Sequence, residues 1–159
     1  MKVRKYNEND LPEMIRIWNE VVEEGIAFPQ EELLGMESGA EFFASQSFTG
    51  VAEEDGQVFG LYILHPNNVG RCGHICNASY AVSQKHRGKG IGEKLVQDSL
   101  RQGTLQGFHI LQFNAVVKSN IGAIHLYQKL GFKTLGEIPK CYRQKDGTFE
   151  NLLLFFHEL

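Results

Sequence analysis

Between a strand-like run, His74–Val82, and an amphipathic helix starting near Glu93 lies the segment Gln84-Lys85-His86-Arg87-Gly88-Lys89-Gly90-Ile91-Gly92. Its glycines occupy alternate positions 88, 90 and 92, so the backbone there can approach a bulky ligand that a side chain would hold off. The segment ends on the first turn of a helix, where free N–H groups and the positive end of the helix dipole favour an anion. Arg87 and Lys89 add positive charge. A strand, a glycine loop and a helix in that order describe a cradle for a pyrophosphate.

The surrounding pattern restricts whose pyrophosphate it is. A dinucleotide fold carries its glycine fingerprint after the first strand, whereas here the loop follows the fourth. A Walker loop closes on Gly-Lys-Ser/Thr, and this run does not. Asp10–Glu24 reads as a first helix, with Asp10 as N-cap, Glu13 completing a capping box and Gly25 as the stop. Leu11, Ile15, Trp18 and Val22 form its apolar stripe. Ile26-Ala27-Phe28-Pro29 reads as a turn presenting an exposed aromatic, and a short helix is expected over Ser38–Ser45. Strands are expected over Met1–Tyr6, Phe48–Glu53, Val58–His65, Gly73–Val82, His109–Val117, Phe132–Ile138 and Asn151–Glu158. Helices follow the glycine loop and span Ser119–Leu130, and Pro139–Thr148 reads as a loop. The order is β-α-α-β-β-β-α-β-α-β-β, an α/β (α+β) three-layer fold with a mixed central sheet and helices on both faces.

The chain has 159 residues with 42% hydrophobic and 22% charged side chains, the profile of one globular domain over residues 1–159. A net charge of −3 argues against a nucleic-acid-binding module. No apolar run reaches membrane-spanning length and no signal peptide opens the chain, so neither a membrane nor a secreted setting is expected. Three cysteines without a disulfide framework suit a reducing cytoplasm. Cys72 and Cys76 lack a second ligand pair, so no metal site is expected.

Arg87-Gly88-Lys89-Gly90-Ile91-Gly92 resembles the Arg/Gln-x-x-Gly-x-Gly/Ala signature of the GCN5-related N-acetyltransferases, the GNAT superfamily. Asn120-Ile121-Gly122-Ala123-Ile124-His125-Leu126-Tyr127-Gln128-Lys129-Leu130-Gly131-Phe132 resembles the same family's second signature, Asn…Ala…Tyr-x-x-x-Gly-Phe. The resemblance implies a GNAT-like fold whose fourth and fifth strands splay apart around acetyl-CoA, the acetyl donor. It implies that backbone groups at Val82 meet the pantetheine, that Arg87, Gly88, Lys89, Gly90, Ile91 and Gly92 hold the pyrophosphate, and that Asn120 bonds the donor. Tyr127 matches the residue that protonates the departing thiolate. The family builds its acceptor wall from the first helix's exit and the last hairpin, which points to Glu24, Phe28 and the loop around Tyr142-Arg143, with Asn77 facing the acceptor from the fourth strand.

The expected function is direct acetyl transfer to the primary amine of a small, amino-acid-like molecule. A protein or peptide N-terminal acetyltransferase and a non-catalytic acyl-CoA-binding module are the alternatives. Many members of the family are dimers, so a homodimer stands beside a monomer. The fourth strand departs from the family in carrying no carboxylate. His74, Glu23 and Glu24 are the candidate bases, and capture of the neutral amine from solution needs none.

Overall fold

The computed structural model describes residues 1–159. Seven strands form one sheet in the order β1-β2-β3-β4-β5-β7-β6. They are β1 (Lys2–Lys5), β2 (Phe48–Glu54), β3 (Gln57–Pro66), β4 (Ile75–Val82), β5 (Ile110–Val117), β6 (Lys133–Arg143) and β7 (Phe149–Glu158). The helices are α1 (Leu11–Glu24), α2 (Met36–Ala44), α3 (Ile91–Leu105) and α4 (Ile121–Lys129). The element order and the three layers are those expected from the sequence.

Alternation along the strands divides the interior into two cores. Val51, Leu61 and Ile63 face α1 and α2, where Met14, Ile17 and Trp18 are buried. Ala52, Tyr62 and Leu64 face the opposite way, against Ile91, Leu95 and Val96 of α3. Trp18 anchors the first core, its ring 4.4 Å from that of Phe28 and 5.9 Å from that of Phe43. Tyr62 anchors the second, its hydroxyl donating to Asp98 at 2.7 Å. Gly50 makes room for it: a Cβ there would lie 2.3 Å from the tyrosine ring.

One junction is parallel. β4 pairs with β5 only at Ile75 with Ile110 and Cys76 with Leu111. Beyond Cys76 the two strands part. β5 also carries a register irregularity between Phe113 and Val116, so Asn114 and Ala115 leave the regular ladder. The expected splay of the fourth and fifth strands is therefore present and begins two residues into β4.

Four local readings change. Asp10 makes no cap on α1; Asn7 caps the preceding 3-10 turn, Glu8–Asp10. The Asp10 carboxylate instead accepts from both terminal nitrogens of Arg4, at 2.8 and 3.0 Å, and from the Asn7 N–H. α2 begins at Met36 because the Ser38 hydroxyl reaches back to the Gly35 N–H. α3 begins at Ile91, directly after the glycine loop, rather than at Glu93. Of Pro139–Thr148 only residues 144–148 form the turn, and the first half is strand, since β6 continues to Arg143 and Tyr142 pairs with Glu150. Two irregularities and a positive φ of 52° at Lys140 interrupt it and hide its strand pattern from the sequence.

The Asp10 ion pair fastens β1 to the entry of α1. Burial pushes the Asp10 carboxyl up, but the Arg4 hydrogen bonds, the Asn7 N–H and the Arg4 charge together bring it below the ordinary range. A carboxyl depressed in the folded state stabilises above its unfolded pKa, and the contribution is lost as pH falls through the folded value. Asp10→Asn should thus lower unfolding free energy by about 1–3 kcal/mol near pH 7. In urea titrations the difference from the unaltered chain should shrink as the pH is taken down through the carboxylate range.

Candidate active site

The parted edges of β4 and β5 open a cleft of about 420 Å³. Asn77, Ala78, Ser79 and Tyr80 line it from β4, and Phe113 to Val117 line it from β5. Gly92 and Val96 of α3 and Asn120, Ala123, Leu126 and Tyr127 around α4 complete one side. Ala27 to Gln30, the exit from α1, close the other, with His65 at the end of β3. Four consecutive residues of β4 reach the cleft because that strand has lost its neighbour on this edge.

At the mouth of the cleft lies the glycine loop. Gly88 and Gly90 adopt left-handed φ of 77° and 76°, and no atom lies within 4 Å of where a Cβ would stand at either. A backbone bent by glycine around open space, ahead of a helix N-terminus, fits an anion. Lys89 is exposed beside it, and Gly92 opens the first turn of α3. Ile91 buries its side chain in the core, so only its backbone is available to a ligand. Val82 ends β4 opposite Gly60.

Arg87 and Glu24 are held together. The guanidinium donates to the two Glu24 oxygens at 2.9 and 2.7 Å, and Gln84 donates to the same carboxylate at 2.5 Å. Burial raises the Glu24 carboxyl, and hydrogen bonds from Arg87 and Gln84, with the Arg87 and Lys145 charges, more than reverse this. Glu24 does not line the cleft. Its place is to tie the end of α1 to the glycine loop.

Phe28 is buried at 7% exposure, not displayed on a turn. Its ring packs at a tilt against Trp18, and its carbonyl accepts from the Tyr142 hydroxyl at 2.9 Å. Behind the Phe28-Pro29-Gln30 wall lies a broader, more open groove of about 1110 Å³, which Glu23, Glu31, Arg143, Lys145 and Phe149 border. The wall thus separates two cavities, and Tyr142 and Arg143 belong to the outer one.

Neutral amides cluster where the strands begin to part. Asn114 and Asn67 exchange hydrogen bonds, at 2.5 Å to the Asn67 oxygen and 3.3 Å to the Asn114 oxygen. Asn77 donates to that Asn67 oxygen at 3.3 Å, while its own oxygen accepts from the Ala78 N–H at 2.8 Å. Asn67 and Asn114 were not among the expected site residues. Asn67 lies in an apparently featureless loop, and Asn114 is brought in by an irregularity with no signature in sequence.

Two phenols face the cleft in different states. Ser99 donates to the Val96 carbonyl at 2.7 Å, so its oxygen is left to accept from Tyr80 at 2.7 Å. The Tyr80 proton is thereby committed. Tyr127 packs its ring 4.5 Å from Phe113 and 5.5 Å from Phe132, and burial alone raises its pKa, with no hydrogen bond contributing. Its hydroxyl therefore stays protonated and uncommitted. Asn120 caps α4 through the Ala123 N–H at 3.4 Å while facing the cleft. His74 lies off the cleft, at the paired end of β4, with its ring edge-on to His109.

The sequence pattern of the acetyltransferase (GNAT) family matches residues 12–132. An N-acetyltransferase of Schizosaccharomyces pombe, aca1, is 40% identical over 102 residues, 63% of this chain and 49% of that protein. The chain thus spans about half the length of that relative. An L-methionine sulfoximine/L-methionine sulfone acetyltransferase of Pseudomonas aeruginosa is 28% identical over 96% of this chain and 94% of its own. The structure of a GCN5-related N-acetyltransferase from Kribbella flavida superposes with a TM-score of 0.91 at 30% identity, covering 99% of this chain and 97% of that one. A ribosomal-protein-alanine N-acetyltransferase from Brucella melitensis superposes at 0.92 with 26% identity over 100% of both chains. With its splayed strands, its glycine loop and a family match over most of its length, the chain belongs to the acetyltransferase (GNAT) family.

Proposed function

We propose that this chain transfers an acetyl group from acetyl-CoA directly to the primary amine of a small, amino-acid-like acceptor. Acetyl-CoA is the acetyl donor of the family, and the residues here suit it. Open space at Gly88 and Gly90 suits the pyrophosphate, with the N–H groups from Arg87 to Gly92 as donors. The β4 edge turned away from β3, free of a strand partner from Asn77 to Val82, suits the pantetheine amides. Asn120 stands on the same wall.

The observation that carries the acceptor class is the inner cleft itself: about 420 Å³, closed by Phe28, with Asn77 on its wall. That is room for a small molecule beside the thioester. An amide can accept from an ammonium or donate to a carboxylate, so Asn77 orients either end of an amino acid. A small acceptor relies on such a contact more than a peptide, which binds along its backbone. The Pseudomonas relative, named for methionine sulfoximine and sulfone, supports the same class.

Chemically, the amine nitrogen attacks the thioester carbonyl carbon and the C–S bond breaks. The sulfur leaves as thiolate, and Tyr127 is the phenol available to protonate it. A phenol raised by burial is a weak acid in water, but a thiolate in the same apolar cleft is raised by the same cause. The proton therefore moves between groups shifted in the same direction.

A second reading rests on the outer groove. Its volume of about 1110 Å³ and its mixed lining of Glu23, Glu31, Arg143 and Lys145 suit a peptide crossing the Phe28 wall, and the Brucella neighbour is named for a protein substrate. Thiol release measured over free amino acids, other small amines and short peptides decides between the two. Small amino-acid-like amines should be the better acceptors. Efficient acetylation of peptides with amino acids inert would transfer the assignment to the groove.

Three substitutions and one control test the parts. Gly90→Ala places one methyl in the cradle and should weaken CoA binding by more than tenfold in calorimetry. Gly56→Ala is the control: it has a similar φ of 80° and equally open surroundings in the β2–β3 turn, so it carries the same backbone strain, about 1–2 kcal/mol, without touching the site. Tyr127→Phe should lower kcat about ten- to a thousandfold with acetyl-CoA affinity little changed. Asn77→Ala should lower kcat/KM for the best amino-acid acceptor about ten- to a hundredfold, as expected for one or two lost hydrogen bonds.

A further inference from the structure

An acceptor amine reaches this cleft mostly as an ammonium, and nitrogen cannot attack until a proton leaves. β4 supplies no carboxylate for this. None of the residues lining the inner cleft is an aspartate, glutamate or lysine; its titratable side chains are His65, Tyr80 and Tyr127. Both phenols are held protonated by burial, and the Tyr80 proton is committed to Ser99. Neither can act as a base near neutral pH. By elimination, one side chain on the wall of the inner cleft can take a proton there.

We infer that His65 is the general base of the transfer, acting through Nε2. This rests on the acetyltransferase reading above and names the group that reading leaves open. Position supports it first. His65 and Asn77 are direct partners in the antiparallel β3–β4 ladder. Directly opposed residues project from the same face with Cβ atoms about 4.5–5.5 Å apart. The imidazole and the orienting amide therefore stand side by side on the cleft wall. The tautomer supports it next. His65 Nδ1 lies 3.0 Å from the Pro66 carbonyl oxygen. A carbonyl only accepts, so the neutral ring carries its hydrogen on Nδ1 and its lone pair on Nε2. The backbone fixes the ring and the basic nitrogen together, as the third group does in a nucleophile–base–orienter set.

The proton balance closes. His65 Nε2 takes one proton from the ammonium, and the freed lone pair forms the N–C bond. As the C–S bond breaks, the thiolate takes a proton from Tyr127. The second proton lost by nitrogen, which becomes the amide, restores Tyr127 through solvent. His65 then releases its proton to solvent, giving acetamide, thiol and one H⁺ from ammonium and thioester. No oxidant, metal or further reactant is needed. The titratable groups sharing the cleft with His65 are the two tyrosines. The strand positions around it are Phe48 and Leu64 on one side and Asn77 on the other, all uncharged.

The test uses His65→Gln and two acceptors whose amines differ in pKa by a unit or more. In the unaltered enzyme the acidic limb of the kcat/KM profile should stay in place when the acceptor is changed. In His65→Gln, kcat/KM at pH 7 should fall about 10²- to 10⁴-fold, and the limb should follow each amine's own ionisation. The rates should converge on those of the unaltered enzyme above the amine pKa, with calorimetric acetyl-CoA affinity unchanged. His65→Gln with an unaltered rate and profile would overturn the assignment. So would a limb in the unaltered enzyme that moves with the amine, or a variant impaired equally at all pH with weakened acetyl-CoA binding, which marks a structural role. If the unaltered enzyme releases no thiol with any amine, the acetyltransferase reading fails, and His65 as base fails with it.

Discussion

Everything at this site depends on two strands that stop pairing. After Cys76, β4 keeps β3 on one edge and has no strand on the other. Interior backbone groups without partners cost free energy, so an edge exposed inside the molecule invites an extended ligand with amides of its own. The same parting brings Asn77, Asn114 and the two phenols onto facing walls. Closing the gap by continued pairing would satisfy the backbone and abolish the cleft.

The glycine loop is fastened as well as bent. Through Arg87 and Gln84 it is bound to Glu24, at the end of the helix that leads into Phe28. The glycine loop and the exit of α1 therefore share one ion pair. Phe28 is fixed in turn by Trp18 and by the Tyr142 hydroxyl. Elements from the beginning, middle and end of the chain are thus joined by these contacts beside the cleft.

Much of this was legible in the residues. Alternation and amphipathic stripes give the order of elements, because each strand buries a face and each helix a stripe. The glycines at 88 and 90 give the position of the bend before α3, because their left-handed backbone favours that residue. What escaped was geometry without a local pattern. Asp10 has the spacing of a cap, yet Arg4 takes its carboxylate through a contact between β1 and the turn before α1. Phe28 looks exposed between turn residues until Trp18 folds over it. His65 reads as the polar end of a strand, and its place on the cleft wall appears only when the ladder sets it opposite Asn77. Asn114 is aimed by an irregularity in β5, and irregularities leave no periodic trace. The second half of β6, Pro139–Arg143, reads as a loop for the same reason.

That outer strand has a further consequence. β6 is an edge strand of eleven residues, exposed throughout except at Tyr142, with Leu135 and Ile138 uncovered. Such an edge is a template on which other chains can add strands. Here it is broken rather than shortened. Pro139 removes a donor, Lys140 adds charge at a kinked position, and the ladder slips once before them, at Thr134–Gly136, and once across them, between Ile138 and Tyr142. The hairpin that borders the outer groove can therefore stay long without presenting a continuous adhesive margin, and the distortion that disguises the end of β6 as a loop also protects the protein from its own kind.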